Sequence, residues 1–167
     1  MSYDLYFARP ETPQPQVQQI GFADVAEGWF ALPDPLAQAT NERIVAALFK
    51  LDPRFVMYSA YYEEIPGRMY EFQHENGIII KLVPWRARLR LPYWYRDAEA
   101  QKVFKHLRRC VKAVQAGGNY LVFDPQLKKL INLTDDADAM QAEYTARMQA
   151  RDEYEAPWGD EPPTCEL

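Results

Sequence analysis

The sequence predicts an α+β fold in which a mainly antiparallel sheet is built on a central hairpin and helices pack on one face. Residues 77–94 hold an apolar run and then a strict alternation of arginine with alanine or leucine. Such period-two alternation is typical of strands with one buried face. Pro84 and Trp85 interrupt this stretch and predict the turn of a hairpin, because proline rarely continues a central strand. Patterns with helical spacing on both sides of the hairpin complete the prediction.

Length and composition predict one α+β domain at residues 1–150 and an acidic, proline-containing tail at residues 151–167 that is extended or disordered. The chain has 167 residues, of which 48% are hydrophobic and 14% aromatic, and this excludes disorder for most of its length. The formal charge of −5 disfavours a nucleic-acid or anionic membrane surface and favours a basic partner. Since neither a targeting segment nor an apolar run of about 18 residues is visible, we expect a cytoplasmic protein.

The first half of the chain predicts three strands and one long helix. In order, the elements are a strand at 3–8, a proline- and glutamine-rich loop at 11–19, a short helical turn within 20–35, a helix at 36–51, and strands at 54–62 and 69–74. The long helix begins either at Asp34, with Pro35 as its first helical residue, or near Thr40. Asn76-Gly77 predicts a type I′ turn, which leads into the central hairpin.

The second half predicts two helices that enclose a short pair of strands. The helix at 96–116 has an apolar stripe formed by Val103, Phe104, Leu107, Cys110, Val111 and Val114. We expect Asp97 to be its N-cap and Gly117-Gly118 its C-cap. Strands follow at 120–123 and 127–133. A last helix begins after Thr134 and has a thin apolar seam of Ala137, Met140, Tyr144 and Met148.

Residues that could carry chemistry are few and scattered. The two histidines, His74 and His106, belong to no metal-binding motif, and a metal site needs several ligands at suitable spacings. Neither serine lies in a nucleophile turn, and Cys110 falls on the apolar stripe, where a buried thiol is unreactive. No glycine-rich phosphate loop opens a helix. We therefore expect no catalytic residue, no metal, no cofactor and no enzymatic activity.

The three arginines of the alternating strand allow two interpretations. Arg86, Arg88 and Arg90 share the wet face of the sheet, where opposite charges on neighbouring strands attract. We expect salt bridges there with acidic side chains from the list Glu63, Glu64, Glu71 and Glu75. The alternative is an anion-binding face, reinforced by Lys81 and the basic side of the helix at 96–116, in a small-ligand-binding or enzymatic domain. The interleaved acids and the net charge weigh against that alternative.

Aromatic residues cluster at the two ends of the alternating strand. Tyr93-Trp94-Tyr95 follows the strand, and Trp85 lies at the tip of the hairpin. Tyrosine and tryptophan are frequent anchors of protein interfaces, and they are also frequent lids over the edge of a core. We favour the core interpretation for both groups.

Three motifs stand out at the ends of predicted elements: the N-terminal MSYDLYF, Pro92-Tyr93-Trp94, and Asp124-Pro125-Gln126-Leu127 before the aliphatic Leu130-Ile131. Together they resemble a family of small, functionally uncharacterised bacterial proteins. That family is similar to the immunity partners of secreted toxins, including effectors of contact-dependent and type VI secretion. The resemblance extends from Met1 to about Tyr144. Many members have a histidine after Pro-Tyr-Trp where this chain has Tyr95, so no role of that histidine is shared.

The resemblance and the lack of a catalytic set predict a non-enzymatic immunity-type protein that binds a cognate toxin or effector and occludes its active site. An inhibitor needs complementary shape and charge rather than reactive groups. We place the contact on the acidic tail, at Glu153, Glu155, Trp158, Asp160 and Glu161. No nucleic-acid or membrane partner is expected, and a homo-oligomer is compatible with the sequence.

Overall fold

The computed structural model describes residues 2–10, 35–61, 68–84 and 86–155. Within these residues, seven strands and three helices follow one another in the order β1 (Ser2–Ala8), α1 (Pro35–Leu51), β2 (Val56–Tyr61), β3 (Arg68–Gln73), β4 (Ile79–Val83), β5 (Arg86–Pro92), α2 (Asp97–Gly118), β6 (Leu121–Asp124), β7 (Lys129–Leu130) and α3 (Ala137–Glu155). The predicted α+β class is confirmed. Helix α1 begins at Pro35, the first of the two predicted starts.

The strands form one antiparallel sheet in the order β2-β3-β4-β5-β1-β6-β7. The N-terminal strand β1 therefore lies in the sheet interior, between β5 and β6. The central hairpin is confirmed as β4 and β5, with Leu82 opposite Ala87. Trp85, at its tip, lies outside the described residues.

The core lies between one face of the sheet and the helices. Leu5 of β1 is opposite Leu89 of β5, which is opposite Ile80 of β4, and all three side chains are fully buried. The predicted stripe of helix α2 is confirmed, since its six members are buried and belong to the same cluster. The predicted seam of α3 is buried as well.

The other face of the sheet is called here the outer face. It includes residues of five adjacent strands that alternate with the rows of the core: Asp4, Tyr6, Val56, Tyr58, Glu71, Gln73, Ile79, Lys81, Arg88 and Arg90. Each of these side chains is exposed or half-buried.

The turn that precedes the central hairpin differs from the predicted type I′ turn. The amide of Gly77 donates to the carbonyl of His74 at 2.8 Å, and the amide of His74 donates to the carbonyl of Ile78 at 3.0 Å. Only Gly77 has a positive φ, of 73°, whereas a type I′ turn needs a positive φ at both central residues. The loop therefore holds three residues, with the glycine in the left-handed position.

The predicted caps of helix α2 are wrong. Arg96 is the N-cap and makes no side-chain capping bond, and Asn119, with φ of 51°, is the left-handed C-cap. Gly117 is inside the helix, where a Cβ would lie 2.6 Å from Cγ1 of Ile44 in helix α1. This glycine permits close approach of two helices rather than ending one of them.

The C-terminal part departs from prediction in two places. The predicted strand at 127–133 shortens to the two residues of β7. Helix α3 continues to Glu155, five residues into the segment expected to be an extended or disordered tail. Residues 156–167 lie outside the described residues, as does the predicted short turn within 20–35. None of the described helices combines the length and the apolar content that crossing a bilayer requires.

Candidate functional sites

Two arginines of the outer face share one carboxylate. Asp4 Oδ1 accepts from Arg88 Nε at 3.0 Å and lies 2.9 Å from Arg88 Nη2, and Arg90 Nε approaches the same oxygen at 3.5 Å. The Arg88 guanidinium also lies over the ring of Tyr6, 5.4 Å from its centroid. Asp4 can sit there because β1 pairs with β5, which puts Asp4 opposite Arg90.

A second ion pair lies one strand further along the outer face. Lys81 Nζ is 2.8 Å from Glu71 Oε2, across the β3–β4 pairing. Burial opposes ionisation of Glu71, but the bonds from Lys81 and Gln73 outweigh it and hold the pKa of that carboxyl below its ordinary value. Among the described residues, three cations of the outer face thus contact two carboxylates.

These cations line a pocket of about 300 Å³, whose lining includes Ile79, Lys81, Arg88 and Arg90. The Arg90 side chain is 44% exposed at this pocket. Arg86 belongs to the predicted anion-binding stripe but does not join it, because its side chain is buried at the β4–β5 turn. Burial lowers the pKa of Arg86 to about 10.

The salt bridges predicted for the arginines have other partners. Arg88 and Arg90 pair with Asp4, and Glu71 pairs with Lys81. Glu75 lies in the hairpin loop, where it contacts Arg54. Glu63 and Glu64 lie outside the described residues. For Glu71 and Glu75 the prediction was wrong, because it paired the arginines with acids nearby in sequence, whereas β5 has β1 as its second neighbour.

Large apolar side chains extend the outer face toward its edge. Val56 and Tyr58 on β2 are 53% and 55% exposed. Trp94, which follows β5, is 65% exposed, so the core interpretation is wrong for this residue. It holds for Tyr93, which is buried, and Tyr95 is half-buried against the core.

The residues predicted to contact a partner lie at the C-terminal end. The backbone of Glu153 and Glu155 belongs to the last turn of α3. Their side chains, together with Trp158, Asp160 and Glu161, lie outside the described residues.

A cluster of Asp52, His74 and His106, in which His74 is buried and His106 half-buried, was missed by the sequence reasoning. Asp52 follows α1, His74 follows β3, and His106 lies on α2, so no local motif joins them. His74 Nε2 is 3.2 Å from Asp52 Oδ2, and His106 Nε2 is 3.7 Å from the same oxygen. The two rings meet edge to face, with centroids 4.7 Å apart. The ligand atoms of the three residues lie within 4.8 Å of one another, which is close enough to consider a metal.

The hydrogen bonds around the two rings do not fit a metal site. The backbone amide of Asn76 donates to His74 Nδ1 at 3.2 Å, and Asn76 Nδ2 lies 2.9 Å from His106 Nδ1. Asn76 Oδ1 accepts from the amide of Ile78, which fixes the orientation of this side-chain amide. Both Nδ1 atoms are therefore acceptors, and the neutral rings carry their protons on Nε2. A histidine that binds metal through Nε2 needs the opposite tautomer.

The same geometry leaves neither ring an open acceptor nitrogen for a substrate proton. Arg54 completes the cluster, with Nη2 2.7 Å from Asp52 Oδ2, and it holds the pKa of Asp52 well below its ordinary range. Burial, followed by the neighbouring His74, lowers the pKa of His106. The arrangement fastens the end of α1, the β3–β4 turn and α2 to one another.

The three motifs behind the family resemblance meet in the core. The Tyr3 hydroxyl donates to Asp124 Oδ2, and Asp124 Oδ1 accepts from the amides of Gln126 and Leu127 at 2.8 and 3.0 Å. The Tyr144 hydroxyl donates to the carbonyl of Pro92 at 2.8 Å. Burial raises the pKa of Asp124. These motifs thus have structural roles in holding β1, β5, β6 and α3 together.

Comparisons of the chain with protein-family models, with curated proteins and with solved structures found no match.

Proposed function

We propose that this chain is a non-enzymatic binding protein of the immunity type, which neutralises a cognate bacterial toxin by covering its active site with the outer face of the sheet. The observation that carries the proposal is the exposure of Val56 and Tyr58, at 53% and 55%, on the same face as Ile79 and Arg90. Aromatic and apolar side chains beside arginine are typical of the centres of protein interfaces. The resemblance to immunity proteins supports the same function.

The charges of the outer face define the partner surface that fits it. Arg90, whose side chain is 44% exposed, lies on the same face as the exposed Val56 and Tyr58, so an acidic group beside an apolar patch is the complement. The net charge of the chain favours a basic partner instead, and such a partner would contact the acidic C-terminal residues. Mutations can distinguish binding through the outer face from binding through the C-terminal residues.

The experiment that tests the proposal is a co-purification followed by a growth assay. The tagged protein, expressed at native level in its source bacterium, retains a stoichiometric partner that is toxic alone and harmless when this chain is co-expressed. Tyr58→Ala weakens the protection, whereas a chain that ends at Glu155 protects as the full chain does. Protection that survives Tyr58→Ala but is lost on truncation would move the contact to the tail. Recovery of the chain without a toxic partner would contradict the function itself.

The pocket on the outer face favours a second candidate, a small-anion-binding domain. Its volume of about 300 Å³ is at the lower end for small-molecule sites, and Arg90 reaches it from one side. Titration with inorganic phosphate, followed by calorimetry, tests this candidate. Saturable binding that is lost in Arg90→Gln and kept in Lys102→Gln, on the exposed side of α2, would support it. No heat of binding in the wild-type chain would end it.

A further inference from the structure

Strand β2 forms one edge of the sheet that the described residues build. Within the described part of the chain, it is hydrogen-bonded to β3 alone. Its first four residues, Val56 to Ser59, are all exposed although they alternate between the two faces of the sheet. Both faces of the strand are therefore exposed at these residues, and none of the described strands pairs with its outer edge.

The two edges of the sheet differ in the features that prevent pairing with another chain. Natural edge strands are kept single by shortness, lysine, proline or a bulge. Strand β7, at the opposite edge, has two residues and includes Lys129. Strand β2 has six residues, VMYSAY, without charge or proline, and it pairs with β3 in an unbroken register.

We propose that β2 pairs antiparallel with β2 of a second copy of this chain, so that two sheets become continuous across a two-fold axis. A two-fold axis perpendicular to the sheet makes edge strands antiparallel and keeps both outer faces on the same side. Each side chain of β2 then lies opposite a side chain of the other β2. An edge without charge is complementary to itself, because no like charges meet across the axis.

The side chains on both faces of β2 favour the same occupant. Val56 and Tyr58 lie on the outer face, and Met57, which is 38% exposed, lies on the helix side opposite Phe72 of β3. A second uncharged strand covers apolar side chains on both faces of the sheet. A charged strand would not meet an opposite charge on β2, whose six residues are all uncharged. Pairing through one strand covers less than the roughly 800 Å² per partner of a standard interface, so we expect micromolar affinity.

Ser59 allows a test that leaves the outer face unchanged. It is exposed and lies opposite Tyr70 of β3, on the helix side of the sheet. In Ser59→Lys, the lysine faces its own copy when the axis passes through residue 59 and faces Met57 when the axis passes through Tyr58, and both arrangements are unfavourable. Ser59→Thr is the matched control, because threonine is uncharged and favours strands.

The measurement is sedimentation velocity on the full chain from about 1 to about 500 µM, a range that brackets micromolar dissociation constants. We expect a reversible monomer–dimer equilibrium in the wild type and in Ser59→Thr. We expect the dissociation constant of Ser59→Lys to rise several-fold, with unchanged circular dichroism and, at concentrations where the wild type is monomeric, an unchanged unfolding temperature. A wild-type monomer throughout the range, or a Ser59→Lys chain that dimerises as tightly as the wild type, would overturn the proposal. Toxin binding through Arg90 is not required for either result.

Discussion

Several polar contacts of the helix–hairpin junction converge on the Asp52 carboxylate. Its Oδ2 atom lies 2.7 Å from Arg54 Nη2 and 3.2 Å from His74 Nε2. The backbone amide of Asp52 donates to the carbonyl of Leu48 in the last turn of α1. Asp52→Asn keeps the size of the side chain but removes its charge. We expect the free energy of unfolding at pH 7 to fall by about 2 kcal/mol, the usual cost of removing one partner of buried, charge-assisted bonds. Urea denaturation measures this change.

The control for that variant is Glu75→Gln. Glu75 also pairs with Arg54, but its side chain is 66% exposed, and exposed ion pairs contribute little to stability. We expect no measurable change in unfolding. Equal effects of the two variants would mean that the buried network does not hold the junction.

His106 makes the stability of the fold depend on pH. Its pKa is lowered from an ordinary value of 6.5 by burial and by His74, so the unfolded chain binds more protons just below that pH. The stability due to its neutral, buried state is present above about pH 6.5 and is lost as the pH falls through the lowered pKa. In His106→Gln, whose amide oxygen can still accept from Asn76, we expect a shallower decline of the unfolding free energy between about pH 7 and about pH 5. An unchanged pH profile would contradict this assignment.

At the scale of elements, Gly117 sets the distance between α1 and α2. Alanine there gains about 1 kcal/mol of helix propensity, but its Cβ would lie 2.6 Å from Cγ1 and 3.3 Å from Cα of Ile44. Overpacking against backbone costs about 1–3 kcal/mol, so we expect Gly117→Ala to destabilise the protein. Thermal unfolding measures the effect. Lys112→Ala, on the exposed side of the same helix, serves as the control and should unfold near the wild-type temperature.

Across the whole molecule, local periodicity predicted the helices and strands. The candidate sites, in contrast, depend on contacts between segments that are distant in sequence. The apolar stripe of α2 and the alternation of β5 are each visible in a short segment of the sequence. Both were confirmed. The place of β1 beside β5 is a contact between distant segments, and no local pattern indicates it. The partners of Arg88 and Arg90, and hence the pocket, depend on that placement.

The cluster of Asp52, His74 and His106 escaped prediction for a similar reason. Asp52, which follows α1, and His74 are 22 positions apart in sequence, and His106 lies on α2. Each residue has an ordinary local context, at a helix end, beside a turn and on a helix surface. Only the packing of α1 and α2 against the hairpin brings their side chains together.

The most direct test of the account compares two charge reversals for binding to the purified partner. Arg90→Glu and Lys102→Glu change the net charge equally, but Arg90 lies on the outer face and Lys102 on the exposed side of α2. We predict that Arg90→Glu raises the dissociation constant at least about tenfold, as loss of an interface arginine does, and that Lys102→Glu leaves it nearly unchanged. Tyr58→Ala, with no change of charge, should weaken binding in the same way. Equal affinities for the wild type and Arg90→Glu, with both chains folded, would contradict binding through the outer face.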